Sequence, residues 1–238
     1  MFTVALLGPD GAGKSTIGRK LEQIPALRAK YIYMGVNLES SNLVLPTTRL
    51  LLEAKRARGQ RPDITVPRHL YQAQTRPSLQ KRFITGLRTT LRMGNLVTEE
   101  WFRQLLVWYY QFRGYCVILD RHFYFDYYEH DVANDDPRRP FHSRMHGFML
   151  DRLYPKPDFV IFLDAPAEVL FARKPEGTLD ARERRRQEYV RLQQVVNSYA
   201  VVDVSQPEEE TLQEISELIM NLRYNKIDKQ YKVGSPSS

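Results

Sequence analysis

A single cysteine, Cys116, among 238 residues leaves no possibility of an internal disulfide. That excludes a disulfide-stapled fold and points to a reducing, cytoplasmic setting. Cys116 opens an apolar run and reads as a small core residue, not as a thiol nucleophile. Also lacking is any run close to the ~20 apolar residues a membrane helix needs, so no membrane span is expected. Residues 2–7 already read as a core strand, and no secretory signal is expected before them. His122, His130, His142 and His146 lie near one another, yet no zinc-ligand spacing connects them and no second cysteine joins them. They are expected at the surface or behind other site residues. No internal repeat is visible.

What remains is an ordinary globular composition, 42% hydrophobic and 26% charged. The length suits one core, so a single domain over residues 1–224 is expected, with a tail over 225–238 disordered at its end. The formal net charge of +7 asks for a reason. Between Arg49 and Arg92 there are eleven Lys and Arg residues against only Glu53 and Asp63. Such a stretch fits an anionic partner, an acceptor phosphate, or a merely solvated basic face.

The most informative segment is Gly8-Pro-Asp-Gly-Ala-Gly-Lys-Ser15. It matches G-x-x-x-x-G-K-[ST], a pattern that chance gives in roughly one chain of this length in a hundred. Its setting is also right, because residues 2–7 (FTVALL) form a short apolar strand and a helical pattern starts at Lys14. A glycine-rich turn between strand and helix aims successive backbone N–H groups inward, where they can cradle phosphates. In such a loop Gly8, Asp10, Gly11, Ala12, Gly13 and Thr16 shape the cradle. Lys14 reaches the β- and γ-phosphates, and the Ser15 hydroxyl reaches Mg²⁺. ATP and Mg²⁺ are therefore the expected ligands.

Short apolar runs alternate with helical stretches along the rest of the chain, the pattern of βα units on a parallel sheet. Strands are expected over residues 2–7, 31–34, 117–119, 159–163 and 201–204. Helices are expected over 14–23, within 37–60 after Pro46, over 78–113 with a break near Gly94-Asn95, from 167, over 180–198 and over 207–223. Residues 61–77, with three prolines, read as a long loop. The expected fold is α/β, a five-stranded parallel sheet between helices in three layers, with a lid segment.

Two strands end in an acid, at Asp120 and Asp164. Either carboxylate would emerge at the carboxyl edge of the sheet, where ligands of open α/β sheets bind. Arg121 favours Asp120, since its planar fork suits a pair of phosphate oxygens. The alternative is an ordinary ion pair at a strand end. The glycine loop holds no cation besides Lys14, so charge on a moving phosphoryl group must come from elsewhere. Arg173, Lys174, Arg182 and Arg184 to Arg186 follow in a segment containing Pro175 and Gly177. Arg173 and Arg182 are the leading candidates. The others could be redundant with them or form a solvated face with i,i+4 pairs such as Arg184–Glu188.

Together these motifs resemble the thymidylate kinases, P-loop kinases whose loop carries an acid at its third place and ends in Gly-Lys-Ser-Thr. Asp120-Arg121-His122 resembles the family's Asp-Arg-Tyr, Leu163-Asp-Ala-Pro166 its Leu-Asp-Val-Pro, and Arg173 the arginine that opens its lid. The resemblance implies ATP-dependent transfer to a nucleoside monophosphate such as dTMP. Lys14 and Ser15 would bind ATP–Mg²⁺, Asp10 would approach the acceptor sugar, Asp120 would support the metal, and Arg121 would clamp the acceptor phosphate. It also implies a possible homodimer through helices around Trp101 and Trp108. Two departures stand out: Phe125 occupies the place of a serine, and no counterpart of the acceptor segment lies between Tyr33 and Pro67. The run 123–128 and Asp135-Asp-Pro-Arg-Arg-Pro140 look more like a bacterial thymidylate kinase-like branch associated with surface polysaccharides. A same-fold kinase for a sugar, sugar phosphate or glycan end is thus the first rival. An ATP-binding switch that docks nucleic acid through residues 49–92 is the second, disfavoured by the Asp-Arg pair and the lid. The aromatics Phe123, Tyr124, Phe125, Tyr127 and Tyr128 could stack on a base or sugar, though core packing is preferred for most.

Overall fold

The computed structural model describes residues 1–35, 43–57, 79–133, 136, 139 and 141–233, with backbone alone at 47, 51–52, 55–56, 79–92, 129–130 and 225–233. Five strands, β1 (Thr3–Leu7), β2 (Ala29–Tyr33), β3 (Cys116–Asp120), β4 (Phe159–Asp164) and β5 (Tyr199–Asp203), form one sheet in the order β2-β3-β1-β4-β5. Every pairing is parallel. The helices are α1 (Lys14–Glu22), α2 (Pro46–Ala57), α3 (Leu79–Phe112), α4 (Phe123–Tyr127), α5 (Phe141–Arg152), α6 (Ala167–Arg173), α7 (Leu179–Arg191) and α8 (Glu208–Val233).

Strand alternation divides the core between the two faces of the sheet. Val4, Leu6, Ile118, Ile161, Leu163 and Val202 pack with Ile17 and Leu21 of α1 and Ile215 and Ile219 of α8. Ala5, Leu7, Val117, Leu119, Val160 and Phe162 pack on the other face with Val107 of α3, Phe123 of α4, Leu150 of α5 and Tyr189 of α7. Helices on both faces of an all-parallel sheet are consistent with a three-layer α/β fold. Burying each such side chain contributes about 1.5–3 kcal/mol, so a one-residue slip of any central strand would forfeit several at once. The register sets Leu6 and Tyr33 both beside Asp120, which gathers the carboxyl ends of β1, β2 and β3 at one edge.

Five elements differ most from the sequence expectations. Helix α3 runs unbroken through Gly94-Asn95. There Thr98 donates to the Gly94 carbonyl at 2.7 Å, Thr48 donates to the Asn95 side chain at 3.2 Å, and Met93 and Leu96 are buried. Tertiary packing overrides the weak propensity of the pair. Helix α7 stops at Arg191 and a 3-10 turn at Leu192–Gln194 follows, so 195–198 are not helical. Strands β2 and β5 each begin two residues early, at Ala29 and Tyr199. Helix α8 continues to Val233, well past the expected boundary at 224. The expected loop at 61–77 and the last five residues lie outside the described residues. Among the described residues no helix is long and apolar enough to cross a membrane. On α3, Trp101 packs on Tyr154 with ring centroids 5.1 Å apart, while Trp108, Tyr109 and Phe112 are exposed.

Candidate functional site

The loop from Gly8 to Gly13 joins β1 to α1 at the carboxyl edge of the sheet. It needs glycine most at Gly11, which adopts φ +93°, where a Cβ would sit 2.4 Å from the Leu170 carbonyl oxygen. That close approach seats the loop against α6. No side chain caps the start of α1, whose N-cap is Gly13. Lys14 folds into the loop and donates from Nζ to the Gly8 and Pro9 carbonyls at 2.7 and 2.9 Å. Burial, with the nearby charge of Arg121, pulls the Lys14 ammonium down to about 8.

One residue further on, Ser15 crosses to β3 and donates to Asp120 Oδ2 at 2.5 Å. The Tyr31 hydroxyl donates to the same oxygen at 2.8 Å. Asp120 is fully buried, and its Oδ1 has no hydrogen-bond partner. A hydroxyl and a carboxylate with a spare buried oxygen are the hard donors that Mg²⁺ prefers. Asp164, the competing strand-end acid, is clasped by Arg186 through Nε–Oδ1 at 2.6 Å and Nη2–Oδ2 at 2.8 Å. That fork separates the two acids, and Asp120 is the one joined to the loop.

Arg121 follows Asp120 with φ +59°, a left-handed backbone uncommon for a side chain of this size. The turn directs its guanidinium onto Asp10, with Nη2 2.5 Å from Oδ1. Gly35 lies against it, since a Cβ there would be 2.8 Å from Arg121 Cδ and 2.4 Å from the Tyr33 hydroxyl, so a larger residue would displace one of these side chains. Asp126, on α4, faces the same group of charges, with Arg185 Nη2 3.7 Å from its Oδ1. Burial raises the Asp126 carboxyl above the usual range against the opposing pull of Arg121, Arg185 and Lys14. For Arg121 burial disfavours the charge, but Asp126 and Asp10 outweigh it and the guanidinium is held more firmly protonated. Burial would also raise Asp10, yet Arg121, Lys14 and Lys174 together lower it.

The arginines between 173 and 186 have separate partners. Arg182 is buried and bonds the Asp10 carbonyl, the Lys174 carbonyl at 2.8 Å and the Glu176 carbonyl at 2.9 Å. It therefore ties the segment 174–176 to the glycine loop. Arg173 lines a cleft of about 300 Å³ with Gly11, Gly13, Thr16, Gln206 and Glu208, on the α8 side of the loop. Arg185 meets Asp126, Arg186 meets Asp164, and Arg184 is exposed. Glu188 pairs with Arg185 at 2.7 Å, not with Arg184 as the i,i+4 spacing suggested. The run is thus not interchangeable.

Two of the histidines, His122 and His146, lie in the interior and not at the surface. His122 is buried and burial alone holds it down to about 4, so it stays neutral. His146 is buried between two carboxylates, with Nδ1 2.7 Å from Asp131 and Nε2 3.2 Å from Glu100. His130 lies outside the described side chains. Phe123, Tyr124 and Phe125 are buried in the core, as preferred from sequence. Sequence reading missed Asp126, the lone acid in an aromatic run. It also missed Arg103, whose Nη1 donates to the Met34 and Gly35 carbonyls at 2.7 and 2.5 Å. Glu99 and Arg103 have the spacing of an ordinary surface i,i+4 pair, and no local signal marks them as buried.

His146 carries a prediction about stability. Burial opposes its charge, but hydrogen bonds to Asp131 and Glu100 raise it to about 9, above the ordinary 6.5. A group raised in the folded state stabilises fully below its unfolded value and loses that contribution as pH climbs toward 9. Lys14, lowered to about 8, works in the opposite sense above that pH. Urea unfolding should therefore show stability falling from pH 6.5 to 8, with the slope flattened in His146→Gln. A flat wild-type profile in that window would count against the charged triad.

No protein-family model and no curated protein matches this sequence.

Proposed function

We propose that this chain is an ATP-dependent phosphotransferase acting on a small acceptor. The observation that carries the reading is the bond between Ser15, at the end of a glycine loop, and Asp120, at the end of the neighbouring strand. These two oxygens, with the unpartnered Asp120 Oδ1, would hold Mg²⁺. When bound, that ion neutralises phosphate charge during transfer. Lys14 and the loop amides would bind the β- and γ-phosphates, and Tyr31 orients the Asp120 carboxylate. Arg173 flanks the cleft on the α8 side, suited to the nucleoside end of ATP, while Arg182 fixes the lid segment on the loop. Arg121, Asp126 and Arg185 make up the acceptor side.

By resemblance the acceptor is a nucleoside monophosphate, dTMP first. The burial of Phe125, which leaves no hydroxyl where that family has a serine, favours the second reading, a kinase for a sugar, sugar phosphate or glycan end. Incubation with ATP and Mg²⁺ should release ADP in a metal-dependent manner, stimulated by one member of a panel. The panel contains dTMP, other nucleoside monophosphates, nucleosides, sugars and sugar phosphates. Failure to bind ATP with Mg²⁺ present would sink the proposal outright.

A further inference from the structure

We infer that the acceptor subsite takes a neutral, hydroxyl-bearing small molecule, with Asp126 as the base that receives the hydroxyl proton, and does not take a phosphomonoester. The inference rests on the phosphotransferase reading above and names its acceptor class.

The charge arrangement around Arg121 carries it. Arg121, the natural clamp for an acceptor phosphate, is already engaged by Asp10 at 2.5 Å. The second cation on this side, Arg185, lies 3.7 Å from Asp126 and also bonds Glu188 at 2.7 Å. Among the described residues the two arginines on this side thus face Asp10 and Asp126 as well as Glu188, so neither guanidinium is left without a carboxylate. Lys174 pairs with Glu176 at 3.2 Å, and Arg182 is committed to the Asp10, Lys174 and Glu176 carbonyls. A phosphate dianion brought to Arg121 would meet Asp10 and Asp126 as near neighbours, and like charges at close range in a partly desolvated site repel strongly.

A hydroxyl acceptor asks for the opposite arrangement. Its oxygen is a poor nucleophile until a nearby base takes the proton, whereas a phosphate oxygen arrives already ionised. Asp120 is unsuited to that task, being wholly buried with Ser15 and Tyr31 both bonded to Oδ2. Asp126 keeps 23% of its side chain exposed at the same edge. It is held there by α4, whose Phe123, Tyr124 and Phe125 are anchored in the core. Burial also makes it a stronger proton acceptor than an ordinary aspartate. In the step, the acceptor hydroxyl gives its proton to an Asp126 carboxylate oxygen while its electron pair forms the new bond to the γ-phosphorus. The bond from that phosphorus to the bridging oxygen breaks, ADP leaves with the electron pair, and Asp126 passes the proton to water.

The test uses the full chain loaded with Mg²⁺ and the non-hydrolysable ATP analogue AMP-PNP. If AMP-PNP does not bind, the phosphotransferase reading itself falls and this inference with it. With AMP-PNP bound, methyl phosphate is titrated in by calorimetry. The wild type should bind it more weakly than about 1 mM. Asp126→Asn, which removes one negative charge, should bind it at least about tenfold more tightly, while the charge-preserving Asp126→Glu should not. Turnover then compares thymidine with dTMP and glucose with glucose 6-phosphate. The neutral member of the productive pair should stimulate ADP release at least about tenfold more, and Asp126→Asn should lower that rate by about 10²-fold or more. Sub-millimolar binding of methyl phosphate by the wild type, or preference for dTMP or glucose 6-phosphate, overturns the inference and leaves the phosphotransferase reading standing. Where neither pair is turned over, the methyl phosphate titration decides.

Discussion

Lys14→Ala should lower phosphoryl transfer by about 10²–10³-fold or more while the chain stays folded. The reason for the large catalytic loss is that phosphoryl transfer relies on positioned positive charge, and the loop interior carries no other cation. The reason for the small structural loss lies in what Lys14 does in the folded chain. It donates two hydrogen bonds to loop carbonyls, each contributing about 0.5–1.5 kcal/mol. Against that stands the cost of keeping an ammonium in a site where burial lowers it to about 8. Alanine removes both, so the unfolding midpoint in urea should move little. Steady-state ADP release and urea unfolding, measured on the same preparation, check the two halves. Turnover at the wild-type level would remove the glycine loop from the reaction.

Arg103→Met should destabilise the fold by about 3–5 kcal/mol, the largest structural effect expected of any single replacement in the site region. Arg103 is 1% exposed and packs inside the face covered by α3. Its Nη1 serves two carbonyls, those of Met34 and Gly35, at the exit of β2. Its Nη2 lies 3.8 Å from Glu99, which is itself buried. Methionine fills much of the volume but leaves two carbonyls without their donor and the buried Glu99 carboxylate without its counter-charge, and unmade buried interactions cost more than made ones contribute. The effect should extend to activity, because Gly35 packs under Arg121 and a shifted β2 exit moves that guanidinium. Arg103→Lys should recover only part of the loss, since an ammonium cannot reproduce the planar fork. Equilibrium unfolding in urea reads the first effect, and a loss under about 1 kcal/mol would show that the two carbonyls are satisfied without Arg103.

The glycine-loop half of the candidate site was legible because it is local. Eight consecutive residues, Gly8 to Ser15, carry the cradle, and the flanking strand and helix form from their own apolar pattern. The five strands were legible for the same reason, since each is a short apolar run with a turn after it. Helix ends were less so. Gly94-Asn95 reads as a break, yet buried neighbours and the bonds of Thr98 and Thr48 carry α3 through it. The arginine run at 182–186 could be recognised as basic, but nothing within it separates the residue that bonds the glycine loop from those that meet Asp126 and Asp164.

The sequence by itself determined the α/β alternation, the glycine loop with Lys14 and Ser15, and the two strand-end acids. Each depends on residues adjacent in the chain, whose spacing alone sets their geometry. Only the tertiary structure decided which acid joins the loop, because Ser15 and Asp120 are brought together by the parallel pairing of β1 with β3. It likewise decided the charge cluster in which Asp10, Arg121, Asp126 and Arg185 meet from three separate segments, the glycine loop, the β3–α4 connection and α7. Their charges set one another's protonation across space, and a potential summed over distant groups leaves no trace in local pattern.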